Sequence, residues 1–133
     1  MGADIEASNE QYIDMATAIS GSGPAYVFLL TESLIDSAVH LGFPRDMATK
    51  LVTHTIRGSA SIALKQASSS STDNMSTLRY KVSSPGGTTA SAVYELEKGN
   101  FRTVITDAVW AAYRRCLELG EKNPNIGPGR NTF

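Results

Sequence analysis

Apolar positions recur along this chain at three- and four-residue steps, which is the signature of helices packed by one face. Tyr12, Ile13, Ala16 and Ile19 predict a short amphipathic helix, interrupted by Ser20-Gly21-Ser22-Gly23. Pro24 suits the first turn of a second helix that runs to Leu41. Val27, Leu30, Leu34, Ile35, Ala38 and Leu41 lie along one side of it, and Phe28 and Leu29 widen the apolar surface beyond one stripe. A helix of that length spans roughly 27 Å, and its apolar breadth predicts central burial. Gly42 is placed as its C-terminal glycine.

Pro44 opens a third helix, and Asp46 sits in its first turn, where a carboxylate suits the helix dipole. Met47, Leu51, Thr55, Ser59 and Ile62 continue one face to about Lys65, and small residues from Gly58 to Ala63 allow another helix to approach closely. The serine run between Ala67 and Asp73 reads as a polar, low-complexity loop. Met75 to Lys81 predicts one or two helical turns. Ala90, Val93, Tyr94 and Leu96 predict a helix ending at Gly99. Phe101, Val104, Ile105, Ala108, Ala112 and Cys116 stripe a last helix that Gly120 ends. No run reads as a strand. The expectation is an all-α fold of five or six helices. Residues 1–11 are expected as a flexible N-terminus, 12–120 as the helical domain and 121–133 as a mobile tail.

Composition narrows the function classes. With 133 residues, 41% hydrophobic and 19% charged, the chain has the make-up of one globular domain. Twelve basic and 13 acidic residues give a net charge of −1, so nothing favours nucleic acid or an anionic membrane as partner. No apolar run approaches the roughly 20 residues of a membrane span. Met1-Gly2 is no myristoylation start, because Glu6 stands where Ser or Thr is wanted, and no leader peptide is visible. The single cysteine, Cys116, excludes an internal disulfide and suits a reducing compartment, so a cytoplasmic setting is expected.

Most candidate chemistry dissolves on inspection. Gly21-Ser22-Gly23-Pro24 fails as a dinucleotide fingerprint: no strand precedes it, and Tyr26 stands at the third glycine position. Its glycines better suit a kink between helices with close backbone approach. His40 lies four residues after Asp36, a spacing for an exposed helical pair. Glu32 and Asp36 are also four apart and have no third partner for acid–base work. Cys116, on the apolar stripe, reads as a core thiol, and Tyr26 and Trp110 as packing residues. No metal site and no nucleophile–base pair emerges.

What remains is Val82-Ser83-Ser84-Pro85-Gly86-Gly87-Thr88-Thr89. Locally it fits a helix N-cap with a glycine-rich lead-in. It also fits a small anion pocket: turn and helix-start N–H groups converge on one point, and hydroxyls stand alongside. With no proton-transfer residue beside it, such a pocket orients a ligand without acid–base chemistry.

Four motifs carry a family resemblance. Ala18-Ile19-Ser20-Gly21-Ser22-Gly23-Pro24-Ala25-Tyr26, Leu41-Gly42-Phe43-Pro44-Arg45, Val82 to Thr89, and Leu96-Glu97-Lys98-Gly99-Asn100-Phe101-Arg102 closely resemble pyrroline-5-carboxylate reductase. The resemblance covers about residues 12–120. It implies an enzyme that reduces 1-pyrroline-5-carboxylate to L-proline with NADPH or NADH, the last step of proline biosynthesis. It further implies a C-terminal, all-helical dimerisation domain of the 6-phosphogluconate-dehydrogenase-like type. The expected partner is a second copy in an interlocked homodimer, or a larger assembly. The family's N-terminal Rossmann domain is not found here, so no cofactor is expected on this chain alone, and no activity from it alone. By the same resemblance, Ser84, Gly86, Gly87, Thr88 and Thr89 hold the substrate carboxylate, and the Thr89 hydroxyl approaches the ring nitrogen as the catalytic contact. Thr72-Asp73-Asn74-Met75 departs from the family's loop, which commonly carries an acidic residue and a His-Pro or similar pair. The alternative is a catalytically inactive interaction module that kept the dimer surface.

Overall fold

Asn9 is extended, and its side-chain oxygen accepts the Tyr12 N–H at 3.2 Å, so the first helix starts on an Asn cap. The computed structural model describes residues 9–70 and 72–130. Among them are six α-helices and one π-helical turn, with no strand: α1 (Glu10–Ala16), the π turn (Thr17–Gly21), α2 (Gly23–Leu41), α3 (Arg45–Ala67), α4 (Met75–Lys81), α5 (Thr88–Lys98) and α6 (Phe101–Leu119). The all-α expectation holds. The N-terminal 1–8, where the flexible segment was expected to begin, lie outside the described residues.

The glycine-serine run interrupts the helix, as the sequence suggested, and it does so through a π turn. The Ser22 N–H reaches back to the Thr17 carbonyl at 2.8 Å, five residues earlier, so the extra residue is absorbed as a π turn and α2 starts at once. A Cβ on Gly23 would meet nothing within 4 Å, so the expected close backbone approach is not found there. Gly42 ends α2 as expected. Its φ of 121° lets the Phe43 N–H bond to the Ala38 carbonyl and its own N–H to Val39, a Schellman closure.

The chain divides into two compact units. The first comprises residues up to 27 and from 100 onward. Its core is Ala18 of the π turn against Tyr113 and Leu117 of α6, with Met15, Val109, Trp110, Ala112 and Ile126 packed around them. Trp110 and Tyr113 meet edge-on at 5.8 Å, and the Tyr26 hydroxyl donates to the Ala18 carbonyl at 2.8 Å. Both aromatics therefore serve packing, as expected.

Beyond Gly120 the chain folds back onto this unit. Arg114 donates from Nε to the Ile126 carbonyl (3.0 Å) and from Nη2 to the Pro128 carbonyl (2.8 Å), with its guanidinium over the Trp110 ring. Lys122 Nζ lies 2.6 Å from Asp14 Oδ2 on α1 and 3.5 Å from Glu10. The stretch expected as a mobile tail thus has named anchors over 121–130.

The second unit, 28–99, holds the rest of α2 with α3, α4 and α5. Its buried side chains are small: Ala38, Ala48 and Val52. The expected central burial of α2 is corrected here. Phe28 and Leu29 are 69% and 66% exposed, and Leu30, Leu34 and Leu41 are exposed as well. A helix apolar on several faces needs a neighbour on each, and within the chain only Ala38 of α2 is buried, with Thr31, Ile35 and Val39 half-buried. On α3 the buried stripe is Ala48 and Val52, whereas Met47, Leu51 and Ile62 face outward. The Asp36–His40 pair does not form either; Asp36 accepts from Arg45 at 3.1 Å across the α2–α3 turn.

Candidate functional site

The turn between α4 and α5 is built from its own sequence. Asn74 caps α4, its side-chain oxygen accepting from the Thr77 N–H (3.0 Å) and hydroxyl (3.2 Å). After Lys81 the backbone tightens: the Val82 N–H bonds to the Arg79 carbonyl and the Ser83 N–H to Tyr80. The Ser83 hydroxyl donates to the Arg79 carbonyl at 2.9 Å, satisfying one of the helix's orphan acceptors.

Ser84 to Gly87 then close a β-turn, with the Gly87 N–H on the Ser84 carbonyl at 3.0 Å. Pro85 takes the second position, and Gly86 the third at φ 69°, which meets the demands of a type II turn. Gly87 is the extended N-cap of α5 (φ −85°, ψ 178°). A Cβ there would stand 3.2 Å from the Ser84 carbonyl oxygen, so the turn and the cap are crowded together. No side chain caps α5. Its first intrahelical bond runs from the Ser91 N–H to the Gly87 carbonyl, leaving the N–H groups of Thr88, Thr89 and Ala90 without acceptors among the described residues.

Each residue singled out from the sequence lies on this one turn. The hydroxyls of Ser84, Thr88 and Thr89 make no hydrogen bond to another described residue; Ser84 and Thr88 are exposed and Thr89 is half-buried. Three N–H donors, three hydroxyls and the positive end of an 11-residue helix dipole form one array of donors suited to a carboxylate. No acid or base within the turn could move a proton.

Around the turn the structure adds residues that sequence reading did not single out. A cleft of about 300 Å³ between α4 and α5 is lined by Arg79, Tyr80, Ser83, Ala90, Val93 and Tyr94. The Arg79 guanidinium stacks 5.6 Å from the Tyr80 ring centre. Asp73, in the loop that departs from the family pattern, accepts from Lys81 Nζ at 2.6 Å and Gln66 Nε2 at 3.3 Å. An Asp eight residues before a Lys on a short helix was the available signal.

A second polar cluster lies in the first unit. Cys116 Sγ donates to Asp14 Oδ1 at 3.3 Å while Lys122 holds Oδ2. The Lys122 ammonium, and then the thiol, hold the Asp14 carboxyl below its ordinary value. Burial, then the carboxylate, push the Cys116 thiol up. Asp14 raises Lys122 in turn. A thiol so placed is half-buried and kept protonated, which is the opposite of an activated nucleophile. Among the described residues no group of three or more His, Cys, Asp or Glu is arranged to hold a metal ion, and no helix is long and apolar enough to cross a membrane.

Comparison with known proteins agrees on one family. The family model described as pyrroline-5-carboxylate reductase dimerisation matches residues 10–119. A Synechocystis pyrroline-5-carboxylate reductase is 46% identical over 113 residues, covering 85% of this chain and 40% of that protein. The Arabidopsis thaliana enzyme is 42% identical over 114 residues, covering 86% of this chain and 40% of the relative. Among solved structures, Plasmodium falciparum pyrroline carboxylate reductase with NADP bound superimposes at a TM-score of 0.77 and 41% identity, covering 84% of this chain and 41% of that one. The chain thus spans about 40% of the length of the curated relatives it matches.

Proposed function

The chain belongs to the pyrroline-5-carboxylate reductase dimerisation family, and we propose that it supplies the substrate-holding turn and the dimer interface of such a reductase. The reaction is the reduction of 1-pyrroline-5-carboxylate to L-proline, with hydride delivered by NADPH or NADH. The cofactor would sit on a nucleotide-binding domain of the kind the family carries N-terminal to this one. Ser84, Gly86, Gly87, Thr88 and Thr89 bind the ring carboxylate through backbone N–H groups and hydroxyls. The Thr89 hydroxyl would donate a hydrogen bond to the ring nitrogen, which gains the C=N electron pair as hydride arrives at the adjacent carbon. The turn's part in catalysis is to fix the ring against the cofactor, since the reducing chemistry belongs to the nicotinamide.

One observation carries this reading: the type II turn at Ser84–Gly87 delivers the unpaired N–H groups of α5 to a single point beside free hydroxyls. The exposed apolar faces of α2 and α3 favour an interlocked homodimer in which each copy covers the other.

The test is calorimetric titration of the dimer, alone and reunited with a nucleotide-binding half, with L-proline or another cyclic carboxylate. Wild type is expected to bind, while Gly87→Ala, which forces a Cβ against the Ser84 carbonyl, loses affinity at least about tenfold. Thr89→Val should lower turnover in the reunited enzyme more than it weakens carboxylate binding. If the folded dimer binds no cyclic carboxylate in either setting, the site reading is wrong.

A further inference from the structure

We propose that Asp73 is a positioning residue for the carboxylate-binding turn, acting through Lys81 and α4. This inference rests on the reading of Ser84–Thr89 as that turn. α4 has seven residues, too few to hold a helix or an orientation by itself. Its start is fixed by the Asn74 cap. Its end is the critical point, because Ser84, where the turn begins, follows three residues later. Lys81, the last residue of α4, places Nζ 2.6 Å from Asp73 Oδ2, and Gln66, in the last turn of α3, donates to the same oxygen at 3.3 Å.

The carboxylate therefore ties both ends of α4 to the end of α3. From there an unbroken series of bonds leads to the site: Val82 N–H to Arg79, Ser83 N–H to Tyr80, Ser83 hydroxyl to Arg79, Gly87 N–H to Ser84. The bonds from Gln66 and Lys81 to Asp73 lie outside the turn itself. The effect of Asp73 is to limit how far α4 can rotate, and with it where Ser84 and the N–H groups of α5 point. The carboxylate is partly shielded (27% exposed), whereas Lys81 is well exposed, so added salt should loosen the tie.

The experiment compares the full chain with Asp73→Asn, Asp73→Glu, Lys81→Met and the Asp73→Asn/Lys81→Met double variant. Circular dichroism and light scattering check fold and assembly, and two readouts address the turn. Amide exchange at Gly87, read by NMR, reports the Ser84–Gly87 bond directly. Titration with L-proline reports the assembled site. Asp73→Asn and Lys81→Met are each expected to speed Gly87 exchange and weaken L-proline binding by about tenfold, the scale of one charged hydrogen bond. The double variant should be no worse than either alone, and Asp73→Glu should recover most of the loss. Should Asp73→Asn fail to fold, Lys81→Met and Asp73→Glu carry the same comparison. Unchanged Gly87 exchange in the folded variants overturns the proposal. Faster Gly87 exchange in a chain whose wild type binds no L-proline upholds the tie and sinks the ligand reading.

Discussion

Gly127 lies flat against the Trp110 indole: a Cβ built on the glycine would stand 2.5 Å from Cζ3. Its φ of 86° is also one that L side chains rarely adopt. Gly127→Ala is therefore expected to destabilise the docked 121–130 segment by about 1–3 kcal/mol, from backbone strain and the lost approach together. Trp110 is the only tryptophan in the sequence, so its emission reports the segment directly. The variant should emit at longer wavelength than wild type. An unshifted spectrum would show that the contact does not hold in solution.

The Asp14–Lys122 pair gives this docking a pH window. Asp14 titrates below its ordinary 3.8 in the folded chain, so its contribution is present above that value and lost as pH falls through the lowered one. Lys122 titrates above its ordinary 10.5, so its contribution is present below that value and lost as pH rises through the raised one. Trp110 emission at low salt should stay flat between these limits and shift beyond each. Asp14→Asn should remove the acid limb.

Gly86 separates a conformational requirement from a contact. At φ 69° the position accepts glycine, and asparagine with less penalty than any branched residue. Gly86→Asn should retain most L-proline affinity, while Gly86→Val should lose it by about tenfold or more, at a strain of roughly 1–3 kcal/mol. Equal behaviour of the two variants would mean that the left-handed backbone is not what the site needs.

Leu34 lies on the exposed apolar side of α2. Leu34→Asp is expected to dissociate the dimer and, because residues 28–99 bury only small side chains of their own, to lower helix content there as well. Light scattering with circular dichroism reads both quantities. A stable dimeric variant would take Leu34 out of the interface.

The helices were legible because their punctuation is local. Gly42, Gly99 and Gly120 end helices where the apolar stripe ends, and the Ser84–Thr89 run announces its own turn. What escaped was whatever depends on a partner far along the chain or on the backbone. Arg114 reaches the carbonyls of Ile126 and Pro128, acceptors that every residue offers and no sequence marks, so the segment looked mobile. Asp36 chose Arg45 over His40 because the turn at Gly42 returns the chain beside it. The breadth of α2's apolar surface was read correctly, but its burial was not, since periodicity tells which face wants covering and not which molecule covers it.

The small buried side chains of the second unit carry a consequence for how this chain melts. Ordering a residue costs about 1–2 kcal/mol of backbone entropy, and Ala38, Ala48 and Val52 are the only hydrophobic side chains buried there. The first unit, with Tyr113 and Leu117 at its centre, carries larger buried side chains. Dilution should therefore separate the two: the transition of residues 28–99 moves to lower temperature as protein concentration falls, while that of the Trp110 region stays put. One chain would then show two melting curves, and only one of them is a property of the chain by itself.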